Sequence, residues 1–311
     1  MGPVDATDPG GGTGVMGVEG AGLCPPVGVS TGVFSQFPDH ATPAAVADGM
    51  SRLPADVFEV LLFSRWGDMV AAGRTIAAAR RPVAVVHGEK RIGGLLGSAD
   101  PAAQRQGQDL IREALEVAGI LGAPAINIHL WDLPDSDRHL ERNLAALAEI
   151  LPDVWRSGIR LLVETIPCQA EMPWTNVERA LTFADDCARN ESACAGPALG
   201  VNLDLEFLSW HDGVEVTLER YVPAWGARVG NVHVKDHDGR PFDERGRRRY
   251  VNPGDGSLDY AHIFGHLRAA GYRGPLTFEG NVTGAGDRHA ALSATVMYLE
   301  RIRRWAQAAW V

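Results

Sequence analysis

The sequence predicts an α/β fold, a single-domain (β/α)8 barrel, on three observations. Eight short apolar segments with strand character alternate with helix-patterned segments between Val27 and Ala309. The strands are near-continuous apolar runs, as parallel strands covered by helices must be. Side chains capable of chemistry gather at the C-terminal ends of those strands, where such a barrel builds its site. An open doubly wound sheet is the competing architecture. It ordinarily carries G-x-G-x-x-G after its first strand, and Val29-Ser-Thr-Gly-Val does not supply it.

The elements follow in order. Val27–Ser30 is a first strand, and Thr42 with Pro43 opens a helix to about Leu53. Val57–Phe63 is the second strand, before an Ala-rich helix over Gly67–Arg80. Pro82–His87 is the third, and after a Gly-rich loop Asp100 and Pro101 start a helix that reaches Leu121. Pro124–Leu130 is the fourth, followed by a helix from Asp135 to Ser157. Strands five to eight are Ile159–Ile166, Leu199–Glu206, Val229–Asp236 and Gly274–Gly280. Their helices are Thr175–Asn190, Gly213–Trp225, Leu258–Ala270 and Arg288–Ala309, with a polar, Arg-rich connection over Asp238–Asn252. Residues 1–26 read as a flexible Gly-rich leader and 27–311 as the barrel. The last helix, bearing Leu299, Trp305 and Trp310, either covers the barrel or dimerises, and a homo-oligomer stays open.

Composition narrows the function. A net charge of −10 argues against nucleic-acid binding, which needs clustered Lys and Arg, and favours a small-molecule partner. Cys24, Cys168, Cys187 and Cys194 form no C-x-x-C pair and read as reduced thiols. With no signal-peptide pattern and no run near the ~18 apolar residues of a membrane span, a cytoplasmic enzyme is expected.

Within Gly230–Asp236, alternation puts Asn231, His233 and Lys235 on one face. Three other strands carry an acid near their ends: Glu164, Asp204 and Glu279. Two Glu, one Asp and one His at four strand ends make a candidate divalent-metal site. The alternative for each acid alone is a helix cap or an internal ion pair. Glu59 and Glu206 have the parity to point inward, as partners of the site or of an Arg.

Val163-Glu164-Thr-Ile, Gly200-Val-Asn-Leu-Asp204, Val232-His233-Val-Lys-Asp236 and Pro253-Gly-Asp-Gly-Ser-Leu-Asp259, then Gly271-Tyr-Arg-Gly-Pro-Leu-Thr-Phe-Glu279, resemble the xylose-isomerase-like sugar phosphate isomerase/epimerase superfamily. Ketose 3-epimerases, hydroxypyruvate isomerase and inosose dehydratase belong to it. The resemblance implies that Glu164, Asp204, His233 and Glu279 hold one divalent cation, Mn²⁺, Co²⁺, Mg²⁺ or Zn²⁺. It further implies Glu164 and Glu279 as acid and base on opposite faces of a sugar or other hydroxy-ketone. Isomerisation or epimerisation would pass through a metal-stabilised enediolate. Lys235, His129 and His87 are candidates for substrate contact, against charge compensation for Lys235 and a hydrogen-bonded barrel role for the histidines; Trp66, Trp131 and Trp210 either wall the pocket or pack against helices, and His211 is a candidate to reach in from a loop. The alternatives are a lyase or dehydratase acting on a cyclitol, keto-sugar or glycoside, and a non-catalytic sugar-binding barrel.

Two positions depart from the pattern. Phe207 stands where many members carry His, and Gly239, beside Arg240, where epimerases often carry Arg. Both point away from an ordinary free ketohexose. The missing His also separates the chain from the trinuclear zinc abasic-site endonucleases. The run Asp243–Arg249 reads as a solvated charge run, ahead of phosphate or carboxylate recognition or a subunit contact.

Overall fold

The computed structural model describes residues 24–35, 42–132, 136–189, 199–282 and 287–311, and eight parallel strands close into a barrel in chain order. The first half comprises β1 (Val27–Ser30), α1 (Gly32–Ser35), α2 (Pro43–Arg52), β2 (Val57–Leu61), α3 (Met69–Ala77), β3 (Val83–His87), α4 (Ile92–Leu96), α5 (Pro101–Leu121) and β4 (Ala125–Ile128). Next come α6 (Leu140–Ala148), α7 (Leu151–Ser157), β5 (Arg160–Glu164), α8 (Pro173–Arg189), β6 (Leu199–Asp204) and α9 (Leu205–Ser209). The chain finishes with α10 (Val214–Val216), α11 (Val222–Trp225), β7 (Val229–Val234), α12 (Tyr260–Ala269), β8 (Leu276–Phe278) and α13 (Arg288–Ala309). The expected leader falls, up to residue 23, outside the described residues, as do Cys194 and Asn190.

Local chemistry sets the boundaries. Thr42, Asp68, Asp100, Asp259 and Asp287 each accept a backbone N–H two or three residues on, satisfying a free donor in the first turn. The helix expected over Asp135–Ser157 is interrupted instead. Pro152 lacks the N–H that Ala148 would receive, so α6 stops at Ala148 and α7 starts at Leu151. Pro223 acts likewise within Gly213–Trp225, where a π-turn over Thr217–Tyr221 separates α10 from α11. Strand six ends at Asp204, two residues earlier than expected, because its carboxylate accepts the Phe207 N–H and caps α9.

The apolar core lies between the strands and the outer helices. Leu299, Ile302 and Ala306 of α13 are buried in it, and Trp305 stacks on Tyr260 with ring centroids 4.5 Å apart, so the last helix covers the barrel. The barrel interior is different. Its apolar floor is a small cluster of Val85, Ala125 and Leu162. Leu162 fills room left by two glycines, since a Cβ at Gly200 or Gly230 would lie 2.8 or 2.7 Å from its Cδ2. Toward the C-terminal mouth the interior turns polar. Register aligns Glu164 with Asn202, Asp204 with His233, and His233 with Thr277.

Leu162→Ala removes most of that floor. It is expected to destabilise the protein by about 2–5 kcal/mol in denaturant unfolding, more than a surface Leu→Ala exchange.

Candidate metal centre and active-site cavity

Glu164 and Asp204 are the last residues of β5 and β6, His233 is the fifth residue of β7, and Glu279 follows β8. One ligand atom from each lies within 4.8 Å of the others. His233 Nδ1 is 3.0 Å from Glu279 Oε2, 3.5 Å from Glu164 Oε1 and 3.6 Å from Asp204 Oδ2. Lys235 Nζ lies 2.5 Å from Asp204 Oδ2 and 2.7 Å from Glu279 Oε2. On the far side of the imidazole, His233 Nε2 donates to Glu59 Oε2 at 2.8 Å, and Asn231 Nδ2 donates to the same oxygen at 3.1 Å.

These residues fit a divalent cation. Asp204 Oδ2 and Glu279 Oε2 are buried, face Lys235 and His233, and receive no well-directed hydrogen bond. Lys235 meets their charge, and each carboxylate oxygen has a second lone pair that a metal ion can take. Three carboxylates and one imidazole suit a hard or borderline ion. Capping and the cluster do not compete at Asp204, since Oδ1 caps α9 and Oδ2 faces the site. His87 and His129 meet the same cluster from β3 and the end of β4, with Nε2 at 3.3 and 3.5 Å from Glu164 Oε2. Together with Glu164 they form a second group with ligand spacing.

Charge in the cluster is set by burial opposed by neighbours. Burial pushes the Glu164 carboxyl up, but His233 and His129 outweigh it and hold the group well below 4.5. Glu279 behaves alike, with Lys235 and His233 outweighing burial. Burial pushes the His233 imidazole down, and Glu59, Glu279 and Glu164 reverse this to leave it well above 6.5. Lys235 ends above its ordinary value, since Asp204 and Glu279 outweigh burial. Burial dominates at His129, whose imidazole is held neutral, and at Glu206, which is pushed up to about 7 despite Lys235.

The cluster forms one wall of a cavity of about 420 Å³ at the barrel mouth. Glu164, Glu279, Lys235 and His129 reach its surface, whereas His87, Asp204 and His233 are buried behind them. The remaining walls include Leu61, Phe63, Ile166, Phe207 and Tyr250, with Lys90, Arg248 and the acidic Asp132 beside them. The candidate tryptophans do not line the cavity. Trp131 is wholly buried with its indole N–H on Pro167 O, and a Cβ at Gly93 would touch its backbone. Trp66 packs edge-on against Phe63, and Trp210 against Phe207. His211 is also elsewhere, because its Nε2 accepts the Cys168 N–H at 3.2 Å. Nor is Asp243–Arg249 only a solvated run. Arg247 and Arg249 pair with Asp243 and Asp238, but Arg248 turns inward to Glu206 at 2.9 Å.

Sequence reasoning placed Asn231 but missed two other asparagines that support the site. Asn127 Nδ2 donates to Glu164 Oε2 at 2.6 Å, and Asn202 Nδ2 lies 3.2 Å from the His233 ring nitrogens. A signal was present. Asn127-x-His129, Asn202-x-Asp204 and Asn231-x-His233 repeat one spacing, which strand geometry turns to one face.

Fold and site together define a (β/α)8 barrel with a buried carboxylate–imidazole cluster at its C-terminal mouth. The chain belongs to the xylose isomerase-like TIM barrel family, which it matches over residues 72–302. An L-ribulose 3-epimerase of Methylomonas sp. (strain DH-1) is 27% identical over 190 residues, 58% of each chain. An L-ribulose-5-phosphate 3-epimerase of Escherichia coli O157:H7 is 27% identical over 188 residues, 59% of each. The chain therefore matches these relatives over less than two thirds of their length. The structure of D-allulose 3-epimerase from Methylomonas sp. in complex with D-allulose superposes with a TM-score of 0.65 at 21% identity, over 91% of this chain and 98% of that one. A 3-keto-D-glucoside 4-epimerase from E. coli superposes with a TM-score of 0.65 at 16% identity, over 90% and 99%. Likeness at such identities concerns the fold.

The charge pattern makes metal-free stability depend on pH in two directions. Glu164 and Glu279 contribute stability that is complete above 4.5 and lost as pH falls through their lowered values. The His233 contribution is complete below 6.5 and lost as pH rises through its raised value. The Tm of metal-free protein is expected to fall on acidification below pH 4.5 and on titration upward from pH 6.5. Glu59→Gln should move the upper limb to lower pH; an unmoved limb would show that Glu59 does not hold the proton on His233.

Proposed function

We propose that this chain is a metal-dependent isomerase or epimerase acting on a sugar or another hydroxy-ketone. One observation carries the reading: of the four clustered ligand residues, Glu164 and Glu279 alone reach the cavity surface, from β5 and from the end of β8. The two groups suited to proton transfer are thus the two that a bound substrate would meet. The named activities of the relatives, 3-epimerisation of a free and of a 5-phosphorylated ketose, support the same reaction class.

Held by Glu164, Asp204, His233 and Glu279, a divalent cation such as Mn²⁺, Co²⁺, Mg²⁺ or Zn²⁺ supplies Lewis-acid stabilisation of negative charge on substrate oxygens. The protein residues do the rest. Glu164 and Glu279 are held ionised, the state that accepts a proton from the carbon beside a carbonyl. One takes that proton and, now a carboxylic acid, can return it; the carboxylate on the opposite side returns one only after taking up a proton from solvent. Return to the opposite face of the same carbon inverts it, and return to the neighbouring carbon moves the carbonyl. Asn127 holds Glu164 in place, and the charged Lys235 beside Glu279 orients a substrate oxygen. Neutral His129 exchanges a hydrogen bond with a substrate hydroxyl.

Glu164→Gln and Glu279→Gln are each expected to lower turnover by about 10²–10⁴-fold while divalent metal still binds, read as C–H to C–D exchange of hydroxy-ketones in D₂O. Full activity in either variant ends this assignment. By elemental analysis, His233→Ala should lose the metal that wild type retains. Glu59→Gln, which removes the carboxylate behind His233, should weaken metal binding by about 10–100-fold in a competition titration.

A further inference from the structure

The chain holds 29 Lys and Arg residues, and the lysines among them are two, Lys90 and Lys235. Both line the active-site cavity, beside one arginine, Arg248. Two lysines placed at random among 29 basic positions would both fall among those three about once in a hundred trials. Elsewhere arginine supplies the positive charge, in pairs such as Arg112–Asp153 and Arg228–Asp185. A compact ammonium at this mouth is therefore a local requirement rather than a habit of composition.

Lys235 is accounted for by Asp204 and Glu279. Lys90 is not. It stands exposed in the turn after β3, between Glu89 and Arg91, which pair with each other at 2.9 Å, and it has no ion pair among the described residues. Arg248 is also incompletely used. Its side chain is 26% exposed, pairs at one point with Glu206 and lies against the rings of Phe207 and Tyr250 at 4.7 and 4.5 Å. Its Nε is buried without a hydrogen-bond partner. Packing between the rings fixes the guanidinium plane, so its remaining donors are oriented before any ligand arrives.

We infer that Lys90 and Arg248 are specificity-determining residues that bind an anionic group of the substrate, a phosphate or a carboxylate. That group lies at the end of the hydroxy-ketone remote from the carbons that face Glu164 and Glu279. The inference rests on the isomerase reading for the reacting end and adds the chemistry of the other end. An ammonium and an oriented guanidinium match an oxyanion in charge and donor geometry. In a protein of net charge −10, an anionic substrate also needs such a local positive site.

The test compares metal-loaded wild type, Lys90→Met, Lys90→Arg and Arg248→Met on three hydroxy-ketones of one carbon skeleton: neutral, terminally phosphorylated and terminally carboxylated. Wild type should favour one anionic substrate over the neutral one by at least about tenfold in kcat/KM, chiefly through KM. Lys90→Met and Arg248→Met should each cut that ratio about tenfold, while Lys90→Arg keeps most of it and added salt shrinks it. The favoured anion names the source of the charge. A preference for the neutral substrate, or a ratio that neither Met variant moves, overturns the inference and leaves the aromatic walls to bind an uncharged ring. Lys90 is exposed, so its replacement does not threaten folding. Should no hydroxy-ketone react, the isomerase reading fails on its own, and calorimetric titration with inorganic phosphate decides the anion site. Binding weakened about tenfold in Lys90→Met supports it, and absent or unaltered binding refutes it.

Discussion

Mutual compensation of buried charges is the constraint on which this structure depends. Glu59, Glu164, Asp204 and Glu279 are brought together inside a closed barrel with His233 and Lys235 among them. Removing one such ion from water costs several kcal/mol unless an opposite charge and directed donors replace the solvent. Each member is therefore held by the others. His233 keeps its proton because three carboxylates surround it; Glu164 stays ionised because His233 and His129 outweigh its burial, and Glu279 because Lys235 and His233 do. A cation entering such a cluster would meet carboxylates already gathered and would displace the proton from His233.

The barrel supplies what that arrangement needs. Eight paired strands leave no open sheet edge for another chain to pair with. Register sets Glu164 beside Asn202 and Asp204 beside His233, which keeps acid and amide or imidazole at matching heights. Below them Leu162 closes the floor, with glycines opposite making room for it. Stability thus comes from the lower interior and the outer helix layer, and the upper interior is released from packing to hold charge.

The mouth is built by connections that each answer a local need. Asp236 is the peg for the connection after β7, accepting the N–H groups of His237, Gly254 and Leu258. The glycines of Pro253-Gly-Asp-Gly-Ser are required there. Gly254 adopts φ +85°, and a Cβ at Gly256 would lie 2.3 Å from the Asp236 carboxylate. That wrapping, with an antiparallel bridge between Phe242 and Arg248, brings Arg248 over Phe207. The motif therefore shapes the cavity from outside it, without supplying a reacting group.

Much of this was legible before any coordinates. Near-continuous apolar runs alternating with capped helical segments determined the eight strand–helix pairs, because both patterns act over a few residues. Strand parity likewise determined which side chains share a face, so the gathering of Glu164, Asp204, His233 and Glu279 needed only closure of the barrel to follow. Contacts across long sequence separation were a different matter. That Glu59 on β2 backs His233 on β7, that Trp131 and His211 turn into packing while Phe63 and Tyr250 line the cavity, and that Arg248 leaves a charged run to stack on Phe207 all depend on how loops cross the mouth. Loop paths follow from burial and hydrogen bonding summed over the whole fold, and no local period encodes them. The sequence by itself thus determined the barrel and the inward-facing residues of the candidate site, whereas the tertiary structure alone decided what surrounds them, and with it the charge they carry.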